Sequence, residues 1–342
     1  MSVNSNRLKK LKKRKKNKKG LIAVFIVFEL FFTLITAPFV LLYGPFENAK
    51  RIYVGSAMTS GRHQYLATLF LSKERIEKIL SSNEGNSNLD GVENNASTVV
   101  INGKHDNSIE LFEFENSKYK GRMLVIKDPQ RVKIAYTDSM YKKGETTSQM
   151  AMKNNAVAAI NGGAFVDSSS NSTYTGNGGT PTGIIISNGV VKFNDLSSNN
   201  KKTDCVAFDN QGKMYAGSYS INQLKELNVR EAVTFAPTLV REGKPTNLSG
   251  GYGAGGIAPR TAIGQRADGS VVLMVIDGRD LVEGPGATMT ELQTLMLTKG
   301  KCVTALNLDG GKSATMYLNG QVINKVSNAL GERYIASSII VK

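Results

Sequence analysis

VTALNLDGGKSATM, residues 303–316, decides how this chain is read. Val303, Ala305, Leu306 and Leu308 make an apolar run with the length and branching of a buried strand. Asn307, Asp309, Gly310, Gly311, Lys312 and Ser313 then crowd the point where the run stops. A carboxylate, an amide, a cation and a hydroxyl thus sit where the backbone turns sharply. Paired glycines there permit positive φ and close approach of a ligand, which is how sites at strand exits are built.

Outward from that segment, short apolar runs alternate with turn residues. IELFEF, RMLVIKD, VKIAYTD, AVAAIN, GIIISNGVVKF, TAIGQRADGSVVLMVID, ATMYLNGQVI and IASSIIV all carry strand patterns. Asn188-Gly189, Asp268-Gly269 and Asn319-Gly320 separate paired runs at hairpin spacing. Helical periodicity is confined to about residues 147–154, 220–227 and 288–297, and Thr290 three residues before Gln293 marks a capped start for the last. The pattern predicts an α+β domain from about residue 97 to 342, a single strand-rich mixed sheet with few helices. Within it, AAINGG at 158–163 echoes ALNLDGG at 305–311, and each precedes a hairpin. The echo predicts two Asn-Gly-Gly turns walling one pocket.

The beginning of the chain obeys other rules. Residues 1–20 hold ten Lys or Arg and no acid, so most of the net charge of +15 lies there and about +6 is left on the remainder once Glu29 is set aside. Residues 21–43 are apolar except for Glu29, Thr33 and Thr36, with Pro38 near the far end. At 1.5 Å per residue a helix of this length spans a hydrocarbon core of roughly 30 Å. A cleaved signal peptide would have a shorter apolar region ending in a small-x-small site, and Thr36-Ala37-Pro38 is a poor one, so the segment reads as an uncleaved signal anchor. Glu29 is either a tolerated charge near the cytoplasmic half or a contact to a helix partner. By the positive-inside rule the tail stays in the cytoplasm, where anionic lipid accounts for its charge, and everything after residue 43 lies outside. The expected organisation is therefore a basic cytoplasmic tail (1–20), a transmembrane anchor (21–43), a stalk helix and flexible linker (44–96), and the α+β domain (97–342). YLATLFLSKERIEKIL supplies the stalk helix, with Ser72 as an N-cap, and SSNEGNSNLDGVENNAS at 81–97 supplies the linker.

Several chemistries drop out early. Two cysteines, Cys205 and Cys302, are too few for a disulfide scaffold and read as buried thiols, with one mutual bridge as the other reading. The two histidines, His63 and His105, lie away from the strand exits, so neither a Ser-His-Asp triad nor a histidine zinc site is easily assembled. Gly310-Gly311-Lys312-Ser313 ends like a phosphate loop, but the required first glycine falls at Leu306. The 251–256 segment matches G-x-G-x-x-G without the flanking strand and helix, so it reads as a loop beside the pocket. What remains is a set of polar residues at strand ends: Asn161 in AAINGGAF, Arg260 and Thr261 in APRTAIG, Asp277 and Arg279 in VIDGRD, and Asn307 with Asp309 in LNLDGG. Arginine presents a planar fork to phosphate oxygens, and glycine turns add an N–H nest. Carboxylates supply acid, base or nucleophile for glycosyl transfer. A sugar joined through phosphate uses both halves of the set.

At these residues the chain resembles the phosphodiester glycosidase family. AAINGGAF, PTGIIISNG, APRTAIGQRADGSVVLMVIDGR, TMTELQTLMLTKG, ALNLDGGKSATM and a late Glu332-Arg333-Tyr334 carry the resemblance in order. It implies hydrolysis of a sugar-1-phosphate diester, leaving a phosphomonoester on the acceptor and a free sugar. Asp309 is then nucleophile or general base, and Asp277 orients an arginine or is the second carboxylate. Arg260 and Arg279 bind phosphate, and Asn161, Asn307 and Ser313 hydrogen-bond sugar hydroxyls or phosphate. Gly162, Gly163, Thr261, Gly310, Gly311 and Lys312 complete the expected substrate-binding set. Lys312 is the departure, since the family commonly has another glycine there; a lysine offers a cation to an extra anionic group or partly fills the site. No cofactor and no dedicated metal site are expected; the Asp-rich turns leave room for a divalent cation, but no EF-hand-like spacing is present. The expected partners are a phosphate-containing envelope polysaccharide, such as teichoic acid, capsule or exopolysaccharide, and the bilayer through residues 21–43. Nucleic acid is not among them, because the ectodomain has modest charge and no basic-aromatic pattern. The alternative function is a non-catalytic glycopolymer-binding protein that assists exopolysaccharide assembly or export. Lys312 favours it, whereas retention of Asp309 and Asp277 favours the enzyme.

Overall fold

A computed structural model describes residues 3–59, 64–81, 99–101, 106–166, 177–248 and 256–342. The expected linker, both histidines and nearly all of the 251–256 loop lie outside the described residues, as do the side chains of the basic tail up to residue 18. Four helices lead: α1 (Val3–Tyr43), α2 (Glu47–Thr59), the single turn α3 (Tyr65–Thr68) and α4 (Lys73–Ser81). The domain then runs β1 (Ile109–Glu115), β2 (Lys120–Ile126), β3 (Val132–Tyr136), α5 (Thr147–Lys153), β4 (Ala158–Asn161), β5 (Phe165–Val166), β6 (Thr180–Pro181), β7 (Ile184–Ser187) and β8 (Val190–Asn194). It continues through β9 (Thr203–Asp209), β10 (Met214–Tyr219), α6 (Ile221–Glu226), β11 (Val229–Thr234), β12 (Thr238–Arg241), β13 (Lys244–Pro245), β14 (Arg260–Arg266) and β15 (Val271–Ile276). Last come α7 (Met289–Thr298), β16 (Cys302–Leu308), β17 (Met316–Leu318), β18 (Gln321–Val322) and β19 (Ser337–Val341).

The architecture is α+β, with the strands divided among separate sheets. One has seven strands in the order β1-β2-β15-β14-β16-β12-β13, and two have five strands each, β10-β9-β11-β7-β8 and β18-β17-β4-β19-β3. A two-stranded ribbon, β5-β6, is the fourth, and the pairings are antiparallel throughout, so where the sequence pattern predicts a single mixed sheet the described residues form four antiparallel ones. A period-2 pattern tells which side of a strand is buried but not which strands share a ladder. The inner faces of the three larger sheets meet in one core that draws Leu124, Ile160, Phe208, Ile263, Leu306 and Ile339 from all of them. Each outer face is closed by one helix: α7 on the seven-stranded sheet, α5 and α6 on the other two. That is why strands such as β15 are buried along their whole length.

The local signals explain the connections. Asn188 and Gly189 adopt φ of 51° and 75°, and Asn319 and Gly320 adopt 47° and 91°, the left-handed pair that a two-residue hairpin turn requires. The capped start of α7 falls two residues earlier than expected, because Thr288 forms a capping box with Glu291. Gln293 instead donates from Nε2 to Leu239 O and Thr246 O, both at 2.8 Å, tying α7 to β12. Cys205 and Cys302 are free and buried, and burial pushes both thiols up to about 12. They belong to separate clusters on different sheets.

Lys19–Tyr43 of α1 is long and apolar enough to cross a membrane, with mean hydropathy 2.4 over its most apolar stretch, which is not buried in the protein. Where one stalk helix is expected, α2, α3 and α4 pack on the end of α1 around Leu42, Val54, Ala67, Leu71 and Ile76. Ser72 accepts from the Arg75 N–H at 3.4 Å, as its N-cap reading implies.

Candidate active site

β14 begins at Arg260, β15 ends at Ile276 and β16 ends at Leu308, and the register sets Arg260 opposite Ile276 and Thr261 opposite Leu308. All three strands therefore open at the same sheet edge. Past Leu308 the chain turns through Asp309 and Gly310 into a single 3-10 turn, Gly311–Ser313. Gly310 packs so closely on Pro259 that a Cβ there would lie 2.7 Å from its carbonyl oxygen, and the Gly311 N–H donates to the same oxygen at 2.9 Å. Gly311 has φ of +60°, and a Cβ on it would lie 3.1 Å from Arg279 Nη1. The guanidinium thus rests on the bare face of the glycine.

Arg279 is itself at φ of 56°, a region that non-glycine residues seldom occupy. Its N–H donates to Pro285 O at 2.9 Å, and the preceding Gly278 leaves no room for a Cβ, which would fall 2.6 Å from Gly286. Packing of the 278–286 loop imposes the conformation, and strain of this kind gathers where a side chain must be aimed. Burial lowers the Arg279 pKa, the charge of Asp309 opposes that, and Arg333 adds to the lowering. Burial pushes Arg260 down to about 10, with Arg279 as the next cause and Glu291 opposing. Arg260 is anchored from behind, by Nε to Ala287 O at 3.0 Å and by Nη2 to Gly256 O. Asp309, Arg260, Arg279 and Arg333 therefore share one field around the glycine turn. Cations pressed together in a partly desolvated cleft are stabilised by an anion that bridges them.

Other expected residues do different work. The Asn161 amide is engaged within the protein: Oδ1 accepts from Thr261 Oγ1 at 2.8 Å and from the Thr315 N–H at 3.2 Å, and Nδ2 donates to Asp309 O. Both Asn161 and Thr261 are fully buried. These two residues clamp β4 to β14, and Asn161 holds the backbone carbonyl of Asp309. Gly162 and Gly163 are also packing positions, since a Cβ would lie 2.7 Å from Ser337 O or 2.4 Å from Val233 Cγ2. The Asp309 N–H reaches Gly162 O at 3.4 Å, so the Asn161-Gly162-Gly163 and Asp309-Gly310-Gly311 turns touch.

Asp277 is buried and enclosed. Arg122 Nη1 donates to Oδ2 at 2.6 Å, while Asn324 Nδ2 and the Lys325 N–H donate to Oδ1 at 3.0 and 3.2 Å. Burial raises its pKa, against the pull of Asn324, Arg122 and the Lys325 N–H. Asn324 also donates to Ala314 O and accepts from the Met316 N–H, so Asp277 fixes the chain just beyond the glycine turn. Of its two expected roles, orienting an arginine or serving as the second carboxylate, the first matches the Arg122 that Asp277 holds here.

Asn307 donates from Nδ2 to Ala236 O at 2.8 Å, whereas its Oδ1 and the Ser313 Oγ are buried with no hydrogen-bond partner in the structure. Orphaned polar atoms on both sides of Asp309 mark a place where water or ligand completes the hydrogen bonding. Lys312 is exposed, so it does not fill the site and its ammonium stands at the rim. Sequence reasoning passed over Arg333 as a site residue, although Glu332-Arg333-Tyr334 is visible as a motif. Arg333 lies 5.0 Å over the Phe165 ring, just after the first Asn-Gly-Gly turn, and Glu332 is held by the Ser148 N–H at 3.0 Å and by Ser148 Oγ. Arg122 and Asn324 carry no local signal, because only the tertiary fold brings them to Asp277.

Gly311→Ala tests the seating of Arg279. The methyl group must displace the guanidinium and accept a left-handed φ at a cost of about 1–2 kcal/mol. Initial rates on a glycosyl phosphodiester should fall roughly 10²-fold, the scale set by ångström misplacement of a binding group.

Fold and site together place two buried arginines, Arg260 and Arg279, at the strand exits around a glycine turn, with the charge of Asp309 acting on Arg279. Residues 154–342, just over half of the chain, match the family model for phosphodiester glycosidases, and the chain belongs to that family. The SPbeta prophage-derived uncharacterized protein YomE of Bacillus subtilis is 29% identical over 202 residues, which is 58% of this chain and 29% of YomE. The N-acetylglucosamine-1-phosphodiester alpha-N-acetylglucosaminidase of Bos taurus is 40% identical over 72 residues, 21% of this chain and 13% of the relative. The chain thus spans less than a third of the length of these relatives. Among solved structures, the catalytic domain of zebrafish N-acetylglucosamine-1-phosphodiester alpha-N-acetylglucosaminidase, auto-inhibited by its pro-peptide, superimposes with a TM-score of 0.57 at 20% identity. The match covers 71% of this chain and 86% of that one. A hypothetical protein from Synechocystis follows with a TM-score of 0.52 at 16% identity, over 68% of this chain and 61% of that one. At these identities the structural likeness concerns the fold.

Proposed function

We propose that this chain is a membrane-anchored extracellular hydrolase that cleaves a sugar-1-phosphodiester belonging to a cell-envelope glycopolymer: teichoic acid, capsule or exopolysaccharide. The observation that carries the reading is Arg279 seated on Gly311 within the charge of Asp309, with Arg260 as a second cation acting on Arg279's side of the turn. The arginines bind the diester phosphate and Asp309 acts on the sugar side, as nucleophile or as base for water. Bond breaking at C1 releases a phosphomonoester that is already stable as an anion, so one carboxylate suffices and little general-acid help is needed. That agrees with an Asp277 occupied elsewhere. No cofactor takes part. Residues 21–43 anchor the chain with its tail in the cytoplasm and the domain outside.

The test is incubation of the full chain in nanodiscs with an N-acetylglucosaminyl phosphodiester and with purified wall glycopolymers, with and without a chelator. Free sugar and phosphomonoester should appear in equal amounts in either condition. Tight binding of the polymers with no release of sugar from any of them would instead support a non-catalytic role in polymer assembly or export.

A further inference from the structure

The helical layer at the end of α1 docks on the same sheet edge that carries the site. A Cβ on Gly55 of α2 would lie 2.6 Å from Ile257 O, and one on Gly256 would lie 3.4 Å from Gly55 Cα. Ile257 is buried, three residues before Arg260, and Gly256 O is one of the carbonyls that anchor the Arg260 guanidinium. The layer is in turn locked to α1: Leu42 is fully buried in its core, Tyr43 Oη donates to Phe70 O at 2.8 Å, and Arg75 covers the Tyr43 ring at 4.4 Å. From Glu47 to Gly55 is about two helical turns, on the order of 12 Å. With α1 in a bilayer, the domain does not float on a tether; its site is held within a short helix of the lipid surface. Tyr43, Phe46, Tyr65 and Leu69 are exposed around the end of α1, the composition of an interfacial belt.

The site also has an apolar rim. Val282 is 89% and Leu330 is 87% exposed, and Leu281 beside Val282 is exposed as well. Leu281 and Val282 directly follow Arg279 and Asp280, while Leu330 comes three residues before Arg333. Lys325 Nζ bonds Asp280 Oδ2 at 2.6 Å and ties the two loops together. Large apolar side chains thus stand in water beside arginines that suit a phosphate, which is the arrangement a lipid phosphate would meet.

Resting on the glycosidase reading, we infer that the phosphate of the scissile diester is esterified to a long-chain lipid alcohol in the same bilayer, at the membrane-carried end of a glycopolymer or of its precursor. Water adds at C1, the C1–O bond breaks with its electron pair going to the phosphate oxygen, and the proton leaves to solvent. The products are free sugar and lipid phosphate, and the lipid chain runs past Leu281, Val282 and Leu330.

The experiment uses the full chain in nanodiscs and two N-acetylglucosaminyl phosphodiesters, one of a long isoprenoid alcohol embedded in the disc and one of ethanol in solution. The lipid ester should be cleaved with a kcat/KM at least tenfold higher. A variant combining Leu281→Ser, Val282→Ser and Leu330→Ser should shrink that ratio about tenfold while its melting temperature stays that of the parent. Cleavage of the ethyl ester with no preference for the lipid ester, or a ratio unmoved by the folded variant, overturns the lipid assignment and leaves the glycosidase reading intact. Failure to cleave either ester by folded protein overturns the glycosidase reading and this inference with it.

Discussion

Asp309→Asn is expected to lower kcat on a glycosyl phosphodiester by roughly 10²–10⁴-fold, the range of a lost catalytic carboxylate. The backbone at this position is held independently of the side-chain charge, by Asn161 Nδ2 on its carbonyl and by Gly162 O on its N–H. An isosteric amide therefore keeps the turn in place while removing the nucleophile or base. It also removes the negative charge acting on Arg279, so inhibitory phosphate should bind more tightly to the variant than to the parent. That second readout separates a chemical role from a structural one. A misfolded turn would lose phosphate along with activity, whereas a chemically disarmed site should lose turnover and gain phosphate. Single-turnover rates, phosphate inhibition constants and a melting curve on the same preparation check all three. Retained turnover in a folded variant would remove Asp309 from the mechanism.

The second large effect is on stability. Asp277→Ala leaves Arg122 without its 2.6 Å partner and Asn324 and Lys325 without their acceptor, in a place where the Asp277 side chain is only 4% exposed. Removing one member of a buried pair costs about 3–5 kcal/mol, because the other charge remains desolvated. For a domain of this size each kcal/mol shifts the midpoint by about 2–4 °C, so a drop on the order of 10 °C is expected. Arg122 retains Glu113 at 2.9 Å, which places the expectation toward the lower end of that range. The sign with pH follows from burial raising the Asp277 pKa. A carboxyl raised in the folded state binds its proton more tightly there than in the unfolded chain. The parent thus loses the stability that comes from this tighter proton binding as pH rises through the folded value, and the alanine variant has no such dependence. Thermal melts of both proteins across the acidic range check midpoint and slope. If Asp277→Ala melts like the parent yet abolishes turnover, Asp277 is a reacting group and the positioning role fails.

The strand at 303–308, the hairpins at Asn188-Gly189 and Asn319-Gly320, the starts of α5 and α6 and the anchor-length apolar segment are all legible in the sequence. Their causes are local: alternation, turn residues with positive φ, capping side chains and sheer apolar length. The glycine turn with Asp309 was legible for the same reason, since a strand that stops at a polar, flexible exit announces itself. Division of the strands into three large sheets, each with its own helix, and a separate two-stranded ribbon was not, because ladder partners are chosen by long-range packing and every buried strand shows much the same pattern.

Roles within the site divide along the same line. Which residue types collect at the strand ends can be read from the chain alone: acids, arginines and amides, with too little histidine for other chemistry. Long-range packing alone brings Asn161 to Thr261 across the core, encloses Asp277 with Arg122 and Asn324, and gathers the charges of Arg260, Arg333 and Asp309 about Arg279. Whether a polar side chain meets ligand or protein depends on neighbours that may be a hundred or more residues away in the chain, and spacing along the chain holds no record of them.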